Sequence, residues 1–172
     1  MQLTLYQKHL LTEVSIKAMK ILGLPILEVK FEPYMLGFNN AAINSNAYTR
    51  TLVFSSVLAK SSNTYADWYQ LIAHELIHHK QMEEGRLRTE FGAFDRRMYW
   101  EDKDVTEILF AAWDDRDGDS YFVLPWEQEA NLSQEGIGMM LKDKIKVDFD
   151  KTPSLIYRIK KLIKSKLSRA VA

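Results

Sequence analysis

Residues 74 to 78 read His74-Glu75-Leu76-Ile77-His78, an HExxH pattern. On a helix, residues four apart project from one face a single turn apart, so both imidazoles can reach one ion. The glutamate between them falls beside that ion, where a carboxylate can take a proton from a water the ion acidifies. These residue types at this spacing point to zinc-dependent hydrolysis, with peptide bonds as the first substrate class. The motif therefore predicts His74 and His78 as zinc ligands and Glu75 as general base.

A catalytic zinc site takes three protein ligands and leaves a fourth position open. The metzincin pattern would need glycine at 81 and histidine at 84, and the chain has Gln81 and Glu84 there. His9 is the only histidine outside the cluster at 74–79, and there is no cysteine. A carboxylate is left, which is the gluzincin arrangement of two histidines and one glutamate. The stretch Tyr121-Phe-Val-Leu-Pro-Trp-Glu-Gln-Glu-Ala-Asn131 offers the best candidates. Pro125 can open a helix in its first turn, and Glu127 and Glu129 follow inside it. Residues two apart on a helix point about 200° from each other, so only one of them can face the zinc. Glu84 and an aspartate of the 114–119 run complete the candidate set. Acidic residues in a first turn are also favoured by the helix dipole alone.

The pairing of HExxH with a later Glu-x-Glu-Ala-Asn helix resembles the ImmA/IrrE-type small gluzincins. More loosely it is similar to thermolysin-like enzymes, whose third ligand is a glutamate followed by alanine. That resemblance implies Glu129, directly before Ala130, as the third ligand, with Glu127 as the alternative. It also implies a zincin-like fold, and a tyrosine donating to the tetrahedral oxyanion from near the position of Tyr121. The ordinary alternative for Tyr121 is a core or interface tyrosine. The resemblance spans about residues 25–140 in layout, while its specific letters occupy two short motifs. It departs in one respect: about fifty residues separate His78 from Glu129, more than in compact members. The Tyr…Pro-Trp-Glu-x-Glu-Ala run is also similar to the ending of short phage-encoded proteins.

Several elements must position these groups. Tyr65, Trp68, Tyr69, Ile72 and Leu76 form one apolar stripe over residues 65–82, with Asn63 or Thr64 as its cap and Gly85 as its stop. His74 and His78 lie about 200° and 240° from Ile72, so ligand face and core face are separate. His79 falls beside Leu76 and next to Glu75 instead, and reads as a partly buried, hydrogen-bonded histidine rather than a fourth ligand. A first helix over residues 5–22 ends at Gly23-Leu-Pro25. Residues 26–31, 42–48 and 51–54 have strand composition, with turns at Asn39-Asn40 and Thr49-Arg50. The expected fold is α+β: N-terminal helix, small antiparallel sheet, HExxH helix, a second helix supplying the glutamate, and a basic C-terminal helix. Residues 94–100 and 105–110 read as an extra hairpin or short helix. Asp114 to Asp119 resembles a calcium loop, but Trp113 and Leu124 stand where that register needs acids, so it reads as a solvated loop. Trp100 and Trp126 read as core or cleft wall.

The chain carries 23 basic and 23 acidic residues, a balance that argues against whole-protein nucleic-acid binding. The charges are unevenly spread. Residues 142–172 hold ten basic against three acidic residues, a tail of +7 on a body of −7. Behind Pro153, Leu155, Ile156, Ile159, Leu162, Ile163 and Leu167 repeat at helical spacing. The reading is a zincin-like domain over 1–150 and a basic amphipathic helix over 151–172 that packs on it. The sharper alternative is a dock for an anionic membrane or nucleic acid. No run of 18 apolar residues and no signal-peptide pattern are found, and the absence of cysteine fits the cytoplasm. The expected partner is a peptide or protein substrate. Two other classes compete: a non-catalytic module that keeps zinc as a staple, and a hydrolase of a non-peptide amide such as a cell-wall crosslink.

Overall fold

The computed structural model describes residues 3–33, 41–45, 49–55, 68–92, 95–115, 119–147 and 149. Helix α1 (Leu5–Leu22) begins with a capping box, in which Thr4 accepts from the Gln7 N–H and the Gln7 side chain returns a bond to the Thr4 backbone. Its buried stripe is Leu10, Leu11, Val14, Ala18 and Met19. Gly23 takes a left-handed turn (φ 68°), and the Leu24 N–H closes back on the Met19 carbonyl. The chain is thereby turned toward the sheet, as the Gly-Leu-Pro run predicts.

The first sheet has β1 (Glu28–Glu32), β2 (Ala41–Ser45) and β3 (Arg50–Ser55) in the order β1-β3-β2. It is mixed, not antiparallel as expected: β2 runs antiparallel to β3, but β1 runs parallel to it. The reason lies in the pairing order. Two chain reversals return β3 to the direction of β1, and β3 takes the centre, where Leu52, Val53 and Phe54 are buried. Turn residues announce the reversals and are silent about which neighbour each strand takes.

Helix α2 (Trp68–Glu83) carries the HExxH residues. Trp68, Tyr69, Ile72 and Leu76 are buried against α1 and the first sheet, each side chain contributing about 1.5–3 kcal/mol from burial. The helix ends at Gly85 (φ 74°), where the Gly85 and Arg86 N–H groups return to the Met82 and Gln81 carbonyls. The expected cap at 63–64 lies outside the described residues.

A second, antiparallel sheet follows: β4 (Leu87–Phe91), β5 (Arg96–Trp100) and β6 (Lys103–Asp104). Sequence reading anticipated only a hairpin or helix here. Then come α3 (Thr106–Asp114), α4 (Asp119–Phe122) and α5 (Pro125–Ile145), the last opened by Pro125 as predicted. Leu87, Trp100, Val105, Leu109, Ala112, Leu124 and Trp126 form a second core beside the larger one around α1, α2 and the first sheet. Both α2 and α5 run from one core to the other. α2 packs along α5 more extensively than along any other element, and beyond α5 the Tyr69 hydroxyl bonds both the N–H and the carbonyl of Val147. The architecture is α+β, and no helix among the described residues is long and apolar enough to cross a membrane. The proposed C-terminal helix over 151–172, and with it the two-part division of the chain, lies outside the described residues.

Candidate metal centre

The helical spacing of His74 and His78 stacks the two rings edge to face, with centroids 4.8 Å apart, and brings their Nε2 atoms to 3.2 Å. The third group there is Glu127 from the first turn of α5. Its two carboxylate oxygens lie 3.3 Å from His74 Nε2 and 3.3 Å from His78 Nε2. These are the residues among those described that converge closely enough to hold an ion. Four ligands about 2.05 Å from a central ion sit at tetrahedron corners separated by about 3.3 Å. The 3.2 Å between the two Nε2 atoms is close to that edge, each of the two carboxylate oxygens lies 3.3 Å from a different imidazole, and two imidazoles with one carboxylate are a donor set of the kind that zinc takes. The cluster could hold a metal ion.

Glu129 does not join it. Its carboxylate faces away from the histidines and receives a forked pair of bonds from Arg86, at 2.9 and 2.7 Å. Arg86 in turn bonds Glu101 and lies over the Trp100 ring at 4.7 Å. The Arg86 bonds hold the Glu129 carboxyl below its usual range. Of the two glutamates expected from the sequence, the alternative, Glu127, is the one that converges with the histidines, and Glu129 is not part of that cluster. The physical reason is helical phase: Glu127 shares the buried stripe of Ala130, Gly138 and Leu141, and a residue two positions on points the other way. Glu84 pairs with Lys80 and Arg86, and the Asp115 carboxylate accepts from the Ser120 N–H at 3.0 Å, so neither supplies the third donor.

Close packing of the two ligand helices sets the reach of Glu127. A Cβ added at Gly138 would lie 3.1 Å from the Gln70 backbone, tighter than most Cβ contacts, so glycine there eases the approach of α5 to α2. Burial disfavours a charge on Glu127, yet the bonds from His74 and His78 outweigh it and draw the carboxyl down to about 2. Burial likewise opposes a charge on His78, and the Glu127 carboxylate overrides it, lifting the imidazole to about 9.

Glu75 is buried beside this cluster, only 6 % exposed. Burial raises its carboxyl above the ordinary range, against the opposing charges of His78 and His74, and the Ile43 backbone N–H of β2 donates to it. The sheet edge and the HExxH helix thus meet at the carboxylate expected to act as base. The Tyr121 hydroxyl donates to Glu127, and burial, with the charges of Glu127 and Glu75, pushes the phenol well above its ordinary value. It remains a proton donor throughout the physiological range. His79 is fully buried and binds the Pro25 carbonyl at 3.0 Å through Nε2. It joins α2 to the entry of β1 and has no part in the cluster.

Sequence reasoning noticed Gln81 only as a break in the metzincin pattern. It is 1 % exposed, 2.9 Å from His78 Nδ1 and 3.1 Å from the Trp126 carbonyl. Its place three residues after His78, on the ligand face, is the signal that could have singled it out.

No protein-family model matches this chain, and comparison with curated proteins and with solved structures finds no match.

Proposed function

We propose that the chain is a zinc-dependent metallopeptidase of gluzincin type, with a zincin-like arrangement of sheet edge, HExxH helix and glutamate helix. The observation that carries this reading is the convergence of His74, His78 and Glu127, with donor atoms 3.2–3.3 Å apart, and the Glu75 carboxylate buried beside them. A zinc ion held by those three residues would supply a water acidified to near neutrality and a positive charge for the carbonyl oxygen.

The remaining work falls to the chain's own groups. Glu75 accepts the proton of the attacking water and carries it to the leaving nitrogen. The Ile43 N–H holds that carboxylate in place. Tyr121 bonds Glu127, which orients that carboxylate toward the histidines. β2 pairs with β3 on one side and borders α2 on the other, so the sheet edge lies beside the cluster.

The test begins with zinc stoichiometry on the wild type, Glu127→Gln and Glu129→Gln. One zinc per chain, lost in Glu127→Gln and kept in Glu129→Gln, is expected. Hydrolysis of a quenched-fluorescent peptide library is then compared with Glu75→Gln, which should keep its zinc and lose turnover. Full turnover in Glu75→Gln would remove the mechanism. Zinc binding without hydrolysis of any peptide would favour the non-catalytic module instead. A structural site alone, however, gives no reason to bury a carboxylate beside the ligands, at a cost of several kcal/mol if charged and unpaired.

A further inference from the structure

Resting on the metal site proposed above, we infer that Gln81 is a positioning residue that dictates which nitrogen of His78 is offered to the ion. The argument turns on the two ends of one amide. Gln81 Nε2 lies 3.1 Å from the Trp126 carbonyl oxygen and also bonds the Glu129 carboxylate. Both partners can only accept, so the nitrogen of the amide must stand on that side. The amide oxygen is then the atom 2.9 Å from His78 Nδ1. An amide oxygen only accepts, so Nδ1 carries a hydrogen and the neutral ring keeps its lone pair on Nε2. That is the nitrogen 3.2 Å from His74 Nε2 and 3.3 Å from Glu127.

The same side chain therefore does two things. Through its oxygen it fixes the tautomer and rotation of one ligand. Through its nitrogen it holds the α5 backbone at Trp126, the residue directly before the Glu127 ligand. Glu129 belongs to this support: it receives the amide on one side and Arg86 on the other. The carboxylate favoured by its motif letters thus acts one step out from the ion. A free-standing imidazole interconverts between tautomers, so the partner of the far nitrogen decides which one is present.

Two substitutions separate the two actions. Gln81→Glu keeps an acceptor for Nδ1–H and loses both donors to α5, whereas Gln81→Leu loses everything. Zn2+ affinity is measured by competition with a chromophoric chelator, thermal stability on the same samples, and the visible spectrum with Co2+ in place of zinc. Gln81→Leu should bind Zn2+ about 10–100-fold more weakly and alter the cobalt bands. Gln81→Glu should stay within a few-fold of wild type in affinity, with wild-type cobalt bands, although its melting temperature falls. Parallel losses of affinity and stability in both variants, or unchanged affinity in Gln81→Leu, would overturn the inference. Should Gln81→Leu fail to fold, long-range 1H–15N correlation on the zinc-loaded wild type decides the matter. A hydrogen on His78 Nδ1 supports the inference and one on Nε2 overturns it. A wild type that binds no Zn2+ would instead overturn the metal site itself, and this inference with it.

Discussion

Zinc binding to this site should displace a proton from His78, and the displacement should be visible as a steep pH dependence. In the metal-free protein the Glu127 carboxylate lifts His78 from 6.5 to about 9, against the opposing effect of burial. The Nδ1 hydrogen stays on the ring, donated to the Gln81 oxygen, so the proton that must leave is the one on Nε2. A metal competing with a proton loses apparent affinity tenfold for each unit below the group's pKa. From pH 6.5 to 8.5 the affinity should rise about 80-fold, whereas an unshifted imidazole would give about twofold.

Close to one proton should be released per zinc at pH 7, measurable by calorimetry in buffers of different ionisation enthalpy. A flat affinity over that range, or no proton released, would refute the reasoning. The same pair sets the stability of the metal-free protein, with opposite signs on its two sides. The lowered Glu127 contributes fully above 4.5 and loses its contribution as pH falls through about 2. The raised His78 contributes fully below 6.5 and loses its contribution as pH rises through about 9. Counted once for the pair, a shift of about 2.5 units corresponds to about 3 kcal/mol, so metal-free stability should peak between about pH 4.5 and 6.5.

Two substitutions away from the ligands test how the helices are held. Gly138→Ala gains about 1 kcal/mol of helix propensity, but its new methyl meets the Gln70 backbone, and overpacking costs about 1–3 kcal/mol. A melting temperature lower by a few degrees, with weaker zinc binding, is expected; a rise would show that the helices do not touch there. Arg86→Ala removes the bonds to Glu129 and Glu101 and the stack on Trp100, all at a side chain one-third exposed. Screening limits the loss to about 1–2 kcal/mol, and the protein should still bind one zinc per chain; loss of the metal would show that this outer pair is needed to hold the site.

Periodic features of the chain were legible; pairings were not. The α1 bounds at Leu5 and Leu22, the Gly85 stop and the Pro125 start each follow from one residue's backbone preference, which acts locally. The parallel placement of β1 beside β3 depends on which strand buries Leu52 and Phe54 most completely, a property of the assembled core. The second sheet was missed for a related reason. β4 and β5 are charged and half exposed, with Arg88, Glu90, Arg96 and Arg97 outside, so the alternation is weak. Their tight link to β6 uses Glu101 and Asp102 in left-handed conformations (φ 48° and 66°) where a glycine would have advertised the turn.

The carboxylate that meets the histidines shows where motif letters and physics part. Letters favour Glu129 because it precedes alanine. Phase favours Glu127, because the residues of α5 that must meet α2 are small or apolar at Ala130, Gly138 and Leu141. From Glu127 those positions fall about 300°, 20° and 320° around the helix, a single face, while Glu129 falls about 200° away. All of those residues are in the sequence, and Gly138 in particular has no role on a solvated face. A glutamate on the stripe that packs against an HExxH helix must either meet the histidines or be buried without a partner, and the second costs several kcal/mol. The stripe, read before the motif, would have selected Glu127 and left Glu129 to Arg86.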